Sequence, residues 1–308
     1  YEIDGHDMAQ ILDTFDKIRA AKNGKPKFIN AHTVKGKGVD YMENSLDWHG
    51  KADGRITVMM GPHAPYTCPP DYLHKFVDQA RELGAEIHIH LSETKGEVEN
   101  IKQRYGKSPI ALMDEIGVLD CGCLAAHCVW VDDDDMDIMA AKHVRVAHNP
   151  GSNLKLASGI APVPKMLAKG ITVGLGTDGA SSNNNLDIVE EMRLTTLIHK
   201  ANTLDPLVIP AETAINMLTE GGAKCLGYKD VGKLETGYKA DITLVDREGL
   251  HWYPKNDTLS LMAYSANSMD VDTVLVNGEV LLRHKEFTKL DIEKIKAEAE
   301  RTRKKLFA

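Results

Sequence analysis

The sequence predicts an α/β fold: repeated β-α units around a parallel sheet, then a smaller region of short strands and a last helix. Two patterns carry that prediction. Between residues 55 and 226, short apolar stretches alternate with segments of helical spacing, which is the rhythm of β-α units in a parallel sheet. Beyond Gly232 the long helical segments give way to closely spaced short strands. A third observation bears on function. Several of the apolar stretches end in histidine, glutamate or aspartate, and parallel barrels build their sites at such C-terminal strand ends.

Taken in order, residues 8–22 have helical spacing (Met8, Ile11, Leu12, Phe15, Ile18), broken by a Gly-Lys-Pro turn at 24–26. A short strand at 27–33 follows, then a Gly-Lys-Gly loop at 36–38. Residues 55–61 read as a strand with a β-branched and Met core, running into Gly61-Pro62-His63. Helix 70–83 leads to a strand at 86–91, and a helical stretch at 107–117 leads to a strand at 123–128. Helix 132–142 precedes strand 144–148 and a polar loop at 149–153. Helix 162–169 precedes strand 171–176, closed by Thr177-Asp178-Gly179, and helices 186–201 and 210–226 come next. Strands at 240–245, 273–276 and 279–282 and a charged helix at 290–305 complete the chain. The expected division is 1–54, 55–230 and 231–308.

Composition narrows the classes. The 308 residues, 43% hydrophobic, are enough for a large core. A net charge of −8, spread along the chain, argues against nucleic acid as a partner. No apolar run approaches the ~20 residues of a membrane span, and no signal peptide is expected at the start. Because the first residue is Tyr1, the chain is expected to begin inside something longer or to be processed. Five cysteines with no framework spacing suit a reducing, cytoplasmic setting. Cys121 and Cys123 stand too close for the usual metal knuckle and read as packing residues.

The candidate site starts from Ile87-His88-Ile89-His90-Leu91-Ser92-Glu93-Thr94. Strand side chains alternate, so His88 and His90 project to one side, and Glu93 follows where the strand yields to a loop. His63, His127 and Asp178 stand at three further strand ends. A lone histidine at a strand end is more often a hydrogen-bonded structural group. Four such ends in successive units are gathered by barrel topology at one rim. Histidines and an aspartate suit Zn²⁺ or Fe²⁺, with one position left open for water. Such a metal lowers the pKa of its water from 15.7 to about 7, and a neighbouring carboxylate then moves protons.

Two resemblances join this reading. Asp4-Gly5-His6-Asp7, Ala31-His32-Thr33-Val34-Lys35-Gly36-Lys37-Gly38-Val39, Met42-Glu43 and Trp48-His49-Gly50 resemble the thiamine-diphosphate half of transketolase. The resemblance covers only about residues 1–53 and lacks the family's upstream magnesium-diphosphate element, so a passive helix-strand fragment is expected there. The larger resemblance rests on Gly61-Pro62-His63-Ala64-Pro65, His90-Leu91-Ser92-Glu93-Thr94 and Ala126-His127-Cys128. It continues through His148-Asn149-Pro150, Ser152-Asn153-Leu154-Lys155-Leu156-Ala157-Ser158-Gly159 and Gly176-Thr177-Asp178-Gly179. These look like the amidohydrolase superfamily and, within it, the 5-methylthioadenosine/S-adenosylhomocysteine deaminases.

That resemblance implies a (β/α)-barrel of the amidohydrolase type with a small C-terminal β-domain, and one Zn²⁺ (or Fe²⁺) per site. It implies a small-molecule nucleoside as substrate, with neither nucleic acid nor membrane as partner. Carried over residue by residue, His90 and Asp178 match metal ligands, and Asp178 also takes a proton from the attacking water. Glu93 matches the acid that protonates the purine ring as C6 is attacked. His127 matches the histidine that orients the hydroxide, and His63, with Glu93, contacts substrate. Asn149 and Asn153 look like loop-shaping residues, His88 need not be a ligand, and His148 reads as structural.

The sequence also departs from the family. No His-x-His pair stands upstream of Gly61, although the family takes two metal ligands from one on its first strand. A full barrel takes about 250 residues and eight strands; five are expected from 55 to 176, or six with 27–33. Missing strands leave open edges prone to association, so a homo-oligomer and weak metal binding are expected. Competing readings are a thiamine-diphosphate fragment, a non-catalytic scaffold, and an amidohydrolase acting on another aminated heterocycle.

Overall fold

The computed structural model describes residues 57–307, together with residues 2–4, 7, 10, 13, 14, 17, 20 and 30–32. The chain divides into two compact units, residues 1–58 and 59–308. In the first, β1 (Glu2–Asp4) pairs in parallel with β2 (Asn30–His32). Gln10, Asp13, Thr14, Lys17 and Ala20 are helical, within the helix expected at 8–22. The rest of the strand expected at 27–33, and most of the transketolase-like motif including His49, lie outside the described residues.

The second unit is organised around a parallel sheet of β3 (Ile87–Leu91), β4 (Cys123–His127), β5 (Arg145–His148) and β6 (Thr172–Leu175), paired in that order. The register sets His88 beside Leu124, Arg145 and Thr172, and His90 beside Ala126, Ala147 and Gly174. Alternation then gives two faces. Ile87, Ile89, Leu91, Ala125, Val146 and Val173 turn outward and are buried under helices. Each large side chain buried there contributes about 2 kcal/mol.

Local sequence explains the covering helices. Pro70–Leu83 starts on proline, whose fixed φ suits a first turn, and ends at Gly84 in the left-handed conformation, φ 60°. Its buried residues Leu73, Val77 and Ala80 recur at intervals of four and three, which is one helical face. Lys95–Tyr105 is capped by Thr94, Pro109–Ile116 by Ser108, and Asp133–Ala141 by a capping box of Asp132 and Asp135. Ile188–Thr203 is capped by Asp187. Glu220–Cys225 lies so close to β6 that a Cβ on Gly174 would meet Gly222 Cα at 3.0 Å and Cys225 Sγ at 3.1 Å, so only glycine fits that position.

The C-terminal region is an antiparallel sheet, β7 (Ile242–Val245), β8 (Val271–Val276), β9 (Glu279–Arg283) and β10 (Glu286–Phe287), in the order β10-β9-β8-β7. Asn277-Gly278 joins β8 to β9 with φ of 50° and 79°, the two left-handed residues of a tight hairpin turn. The charged helix is Ile292–Leu306. Among the described residues no helix is long and apolar enough to cross a membrane.

Three expectations are corrected, and one helix is added. The strand at 55–61 reduces, within the described residues, to a single bridge from Met60 to Ile87, because no further strand pairs along its other side there. The polar loop at 149–153 is instead a short helix, Pro150–Lys155; Pro150 presets its first turn and Glu191 takes the Gly151 N–H at 2.8 Å. The helix at 210–226 is two, Ala211–Leu218 and Glu220–Cys225, since Thr219 leaves helical geometry (φ −105°, ψ −92°) where Gly221 approaches the Val173 carbonyl. Helix Lys95–Tyr105 was not expected at all: its mean character is polar and its cap is the main signal.

Candidate active site at the strand ends

The C-terminal ends of β3, β4 and β6 share an unusual backbone feature. Ser92, His127, Cys128 and Asp178 all have positive φ (50°, 73°, 46° and 62°), a conformation that non-glycine residues rarely adopt and that must be held by its surroundings. For His127 the consequence is direct. It sits opposite Leu91 in the ladder, so simple alternation would aim it at the covering helices. The left-handed kink instead stacks its ring on His90, with centroids 5.4 Å apart and planes 18° apart.

The histidines are fixed by what their Nδ1 atoms meet. His90 Nδ1 donates to the His63 carbonyl at 2.7 Å, and His90 N–H donates to the same oxygen at 3.1 Å. His63 Nδ1 donates to Thr67 Oγ1 at 2.7 Å, whose own proton goes to the Ala64 carbonyl. His127 Nδ1 meets Asn153 Oδ1 at 2.8 Å, with both residues 1% exposed. Rings held through Nδ1 present Nε2 to ligand or substrate, as metal-binding histidines do. The His63 and His90 rings lie 5.0 Å apart, and Tyr66 meets His63 edge-on at 5.7 Å. Burial, then the charges of Glu93 and Glu97, raise the Tyr66 phenol above its ordinary range.

Glu93 is held by three elements. Its carboxylate accepts from Ser158 Oγ at 3.2 Å and stands 3.9 Å from His127 Nε2. Ser158 is anchored through its carbonyl, which accepts Trp130 Nε1–H at 2.6 Å. Beneath them, the buried Glu97 carboxylate accepts the N–H groups of Ser92 and Glu93, each at 2.8 Å, which pins the left-handed turn. Burial raises the Glu97 pKa, although the backbone hydrogen bonds oppose it. Asp178 is placed by Ser152 Oγ at 2.7 Å and Gly179 N–H at 2.7 Å. Burial pushes its carboxyl up, but these donors and the fields of His127 and His90 outweigh it and hold the pKa below the usual value.

The structure thus brings His63, His90, Glu93 and His127 together, and His90 and Asp178 line a cavity of about 1040 Å³. That cavity runs under the rim along His88, Ala126 and Gly174 and is mostly apolar beyond them. His148 lies on the helix side, its Nε2 3.3 Å from His199 Nε2, both buried. Asn153 does more than shape a loop, because it holds His127. Sequence reading passed over Glu97, Ser152, Ser158 and Trp130. Thr94 and Glu97 formed a legible capping pair, but this glutamate reaches past its own cap to the strand end. All five cysteines are free. Among the described residues no group of three or more His, Cys, Asp or Glu is placed to hold a metal ion.

Comparison with known proteins finds relatives of this chain in sequence and in fold. A 5-methylthioadenosine/S-adenosylhomocysteine deaminase of Dictyoglomus thermophilum is 54% identical over 265 residues, 86% of this chain and 62% of the relative. One from Pelotomaculum thermopropionicum is 54% identical over 255 residues, 83% and 59% respectively. The chain therefore spans about three fifths of the length of these curated relatives. Among solved structures, an adenosine deaminase from Xanthomonas campestris with bound zinc superposes with a TM-score of 0.81 at 32% identity, covering 83% of this chain and 58% of that one. An atrazine chlorohydrolase from Arthrobacter aurescens complexed with zinc gives 0.75 at 28%, covering 80% and 54%. The amidohydrolase family model matches residues 37–281, a span that begins inside the stretch read as transketolase-like and takes in the sheet, the strand-end cluster and most of the C-terminal strands. The chain belongs to the amidohydrolase family.

Proposed function

We propose that the chain is the major part of a hydrolytic deaminase acting on an adenosine-type nucleoside, 5-methylthioadenosine or S-adenosylhomocysteine, giving the inosyl product and ammonia. The observation that supports it best is the grouping of His63, His90, Glu93 and His127 at adjacent strand ends. The names of the relatives supply the substrate class. In this reading Glu93 carries the proton that the purine ring receives as C6 is attacked. Ser158 orients that carboxylate, His127 orients the attacking water, and Asp178 accepts a proton from it. His63 and Tyr66 form the wall against the substrate. A cytoplasmic setting fits this substrate class.

The zinc in structural neighbours points to a divalent metal for the family. In this chain His90 and Asp178 offer two donors of suitable type, and catalytic zinc sites carry three protein ligands. The described residues do not complete a metal site. The proposal is that this polypeptide alone holds metal weakly and turns over poorly. Ammonia release and loss of the adenine absorbance with S-adenosylhomocysteine test the reaction; hydrolysis of a triazine or pyrimidine in preference would replace the substrate class. Metal analysis after dialysis tests the second part, and one tightly held zinc per chain with ready turnover would sink it.

A further inference from the structure

We propose that Asn153 is a positioning residue that sets the tautomer of His127, an inference that rests on the reading of Glu93 and His127 as the proton-handling pair. Asn153 Oδ1 has no proton to give, so the hydrogen in its 2.8 Å bond belongs to His127 Nδ1. A neutral imidazole protonated there carries its lone pair on Nε2. That atom faces Glu93 Oε2 at 3.9 Å, beyond direct hydrogen-bond range. With Glu93 ionised, before it takes up the proton it delivers, Nε2 and the carboxylate are two acceptors facing one another, and the gap between them receives one molecule with two O–H or N–H donors. The attacking water and the departing ammonia both answer that description.

Three features make Asn153 suited to the task. It is 1% exposed, so water does not compete for the Nδ1 proton. Its backbone is fixed, since it lies in the helix Pro150–Lys155 and its carbonyl accepts the Ser158 N–H at 2.8 Å. The same residue therefore ties the His127 ring to the loop that carries the Ser158 hydroxyl to Glu93. Finally, Asn153 Nδ2 is buried with no partner among the described residues. The side chain's one protein hydrogen bond is thus the one to His127. With the amide rotated, Nδ2 would donate to Nδ1, Nε2 would carry the proton, and the gap would close into a direct hydrogen bond from His127 Nε2–H to the Glu93 carboxylate.

The two arrangements differ in an observable. In this chain labelled with ¹⁵N-histidine, His127 is identified by the signal lost in His127→Gln, and its two ring nitrogens report which one is protonated. The expected result is protonation at Nδ1 in the wild type. Asn153→Asp should keep a proton on Nδ1, whereas Asn153→Leu should move the population toward Nε2–H by about five-fold, the weight of one net hydrogen bond. An Nε2–H ring in the wild type, or the same tautomer in Asn153→Leu, overturns the proposal. The wild-type measurement alone decides the question if the leucine variant does not fold. The spectrum does not depend on turnover. A chain with the Nδ1–H tautomer and no deamination would therefore overturn the proposed function and leave the role of Asn153 standing.

Discussion

Ile87, Ile89 and Leu91 leave β3 in one direction and are 0–1% exposed, whereas His88 leaves it in the other and is exposed. The contrast recurs in part on β5 and β6, but not on β4, all five residues of which are buried. Val146 and Val173 are buried on the helix side, while Arg145, Ala147 and Thr172 are only half-buried on the inner side. The helix-facing layer is therefore the more completely buried of the two. That separation is sharp enough to break by mutation. Ile89→Ala should cost about 4 kcal/mol, as large-to-small changes in packed cores do. His88→Ala should stay within about 0.5 kcal/mol, as changes at exposed positions do. Urea midpoints of the two variants give the comparison, and a comparable loss in His88→Ala would show that the inner face also carries stability.

One polar pair sits on the wrong side of this division. His148 and His199 are buried among the helices, Nε2 to Nε2 at 3.3 Å. Burial drives the His199 pKa down to about 4 and the His148 pKa well below its usual value, with the neighbouring histidines and Lys200 adding to the effect. A histidine whose folded pKa is depressed binds fewer protons folded than unfolded. Its contribution is present above about pH 6.5 and lost as pH falls through that value toward 4. For His199 the loss amounts to about 3 kcal/mol across that window. The stability of His199→Leu should accordingly fall less steeply with acid than that of the wild type, read as the difference between urea midpoints near neutrality and in mild acid. Parallel curves would mean that the pair is not held neutral.

The helix-facing layer was the legible part of the sequence. Most of its strands and helices follow from apolar spacing, whereas the polar helix Lys95–Tyr105, marked mainly by its Thr94 cap, was missed. The strand-end residues His63, His90, Glu93, His127 and Asp178 were legible by type and position. Their support was not. No periodicity marks His127 as left-handed, and it is that kink which turns the ring from the helices to His90. Asn153 was hidden because 149–153 read as a loop, when Pro150 and the distant Glu191 make it a helix. Ser158 reaches Glu93 across 65 residues, and local spacing says nothing of such pairs.

Glu97 belongs to both regions, since it lies in a covering helix and holds the rim. Removing its carboxylate leaves the Ser92 and Glu93 N–H groups without their acceptor, while relieving the burial of a charge. Glu97→Ala should cost about 2 kcal/mol, with Glu97→Gln intermediate because one amide oxygen still serves one N–H. The loss should be accompanied by release of Ser92 from φ 50°, seen as faster amide exchange at residues 92 and 93. A stability loss without that local opening would make Glu97 a packing residue rather than the clamp of the turn.

A smaller effect than at Glu97 is expected at the far side of the rim. Ser152 is fully buried, and its hydroxyl donates to Asp178 Oδ2 at 2.7 Å. Asp178 has a folded pKa below its ordinary value, so its contribution is present above about pH 3.8 and lost as pH falls through the folded pKa. Ser152→Ala removes one of the donors that depress it, and burial, which acts in the opposite direction, remains. The carboxyl should titrate at higher pH in the variant, and the cost near neutrality should be about 1.5 kcal/mol, the weight of one hydrogen bond to a charged group. That cost should shrink in acid, where the carboxyl is protonated in folded and unfolded chains alike. The Asp178 carboxyl carbon followed by NMR gives the titration directly. An unmoved midpoint would mean that Gly179 N–H and the nearby histidines hold the charge by themselves, and that the rim at β6 is set by backbone rather than by side chains from the helix Pro150–Lys155.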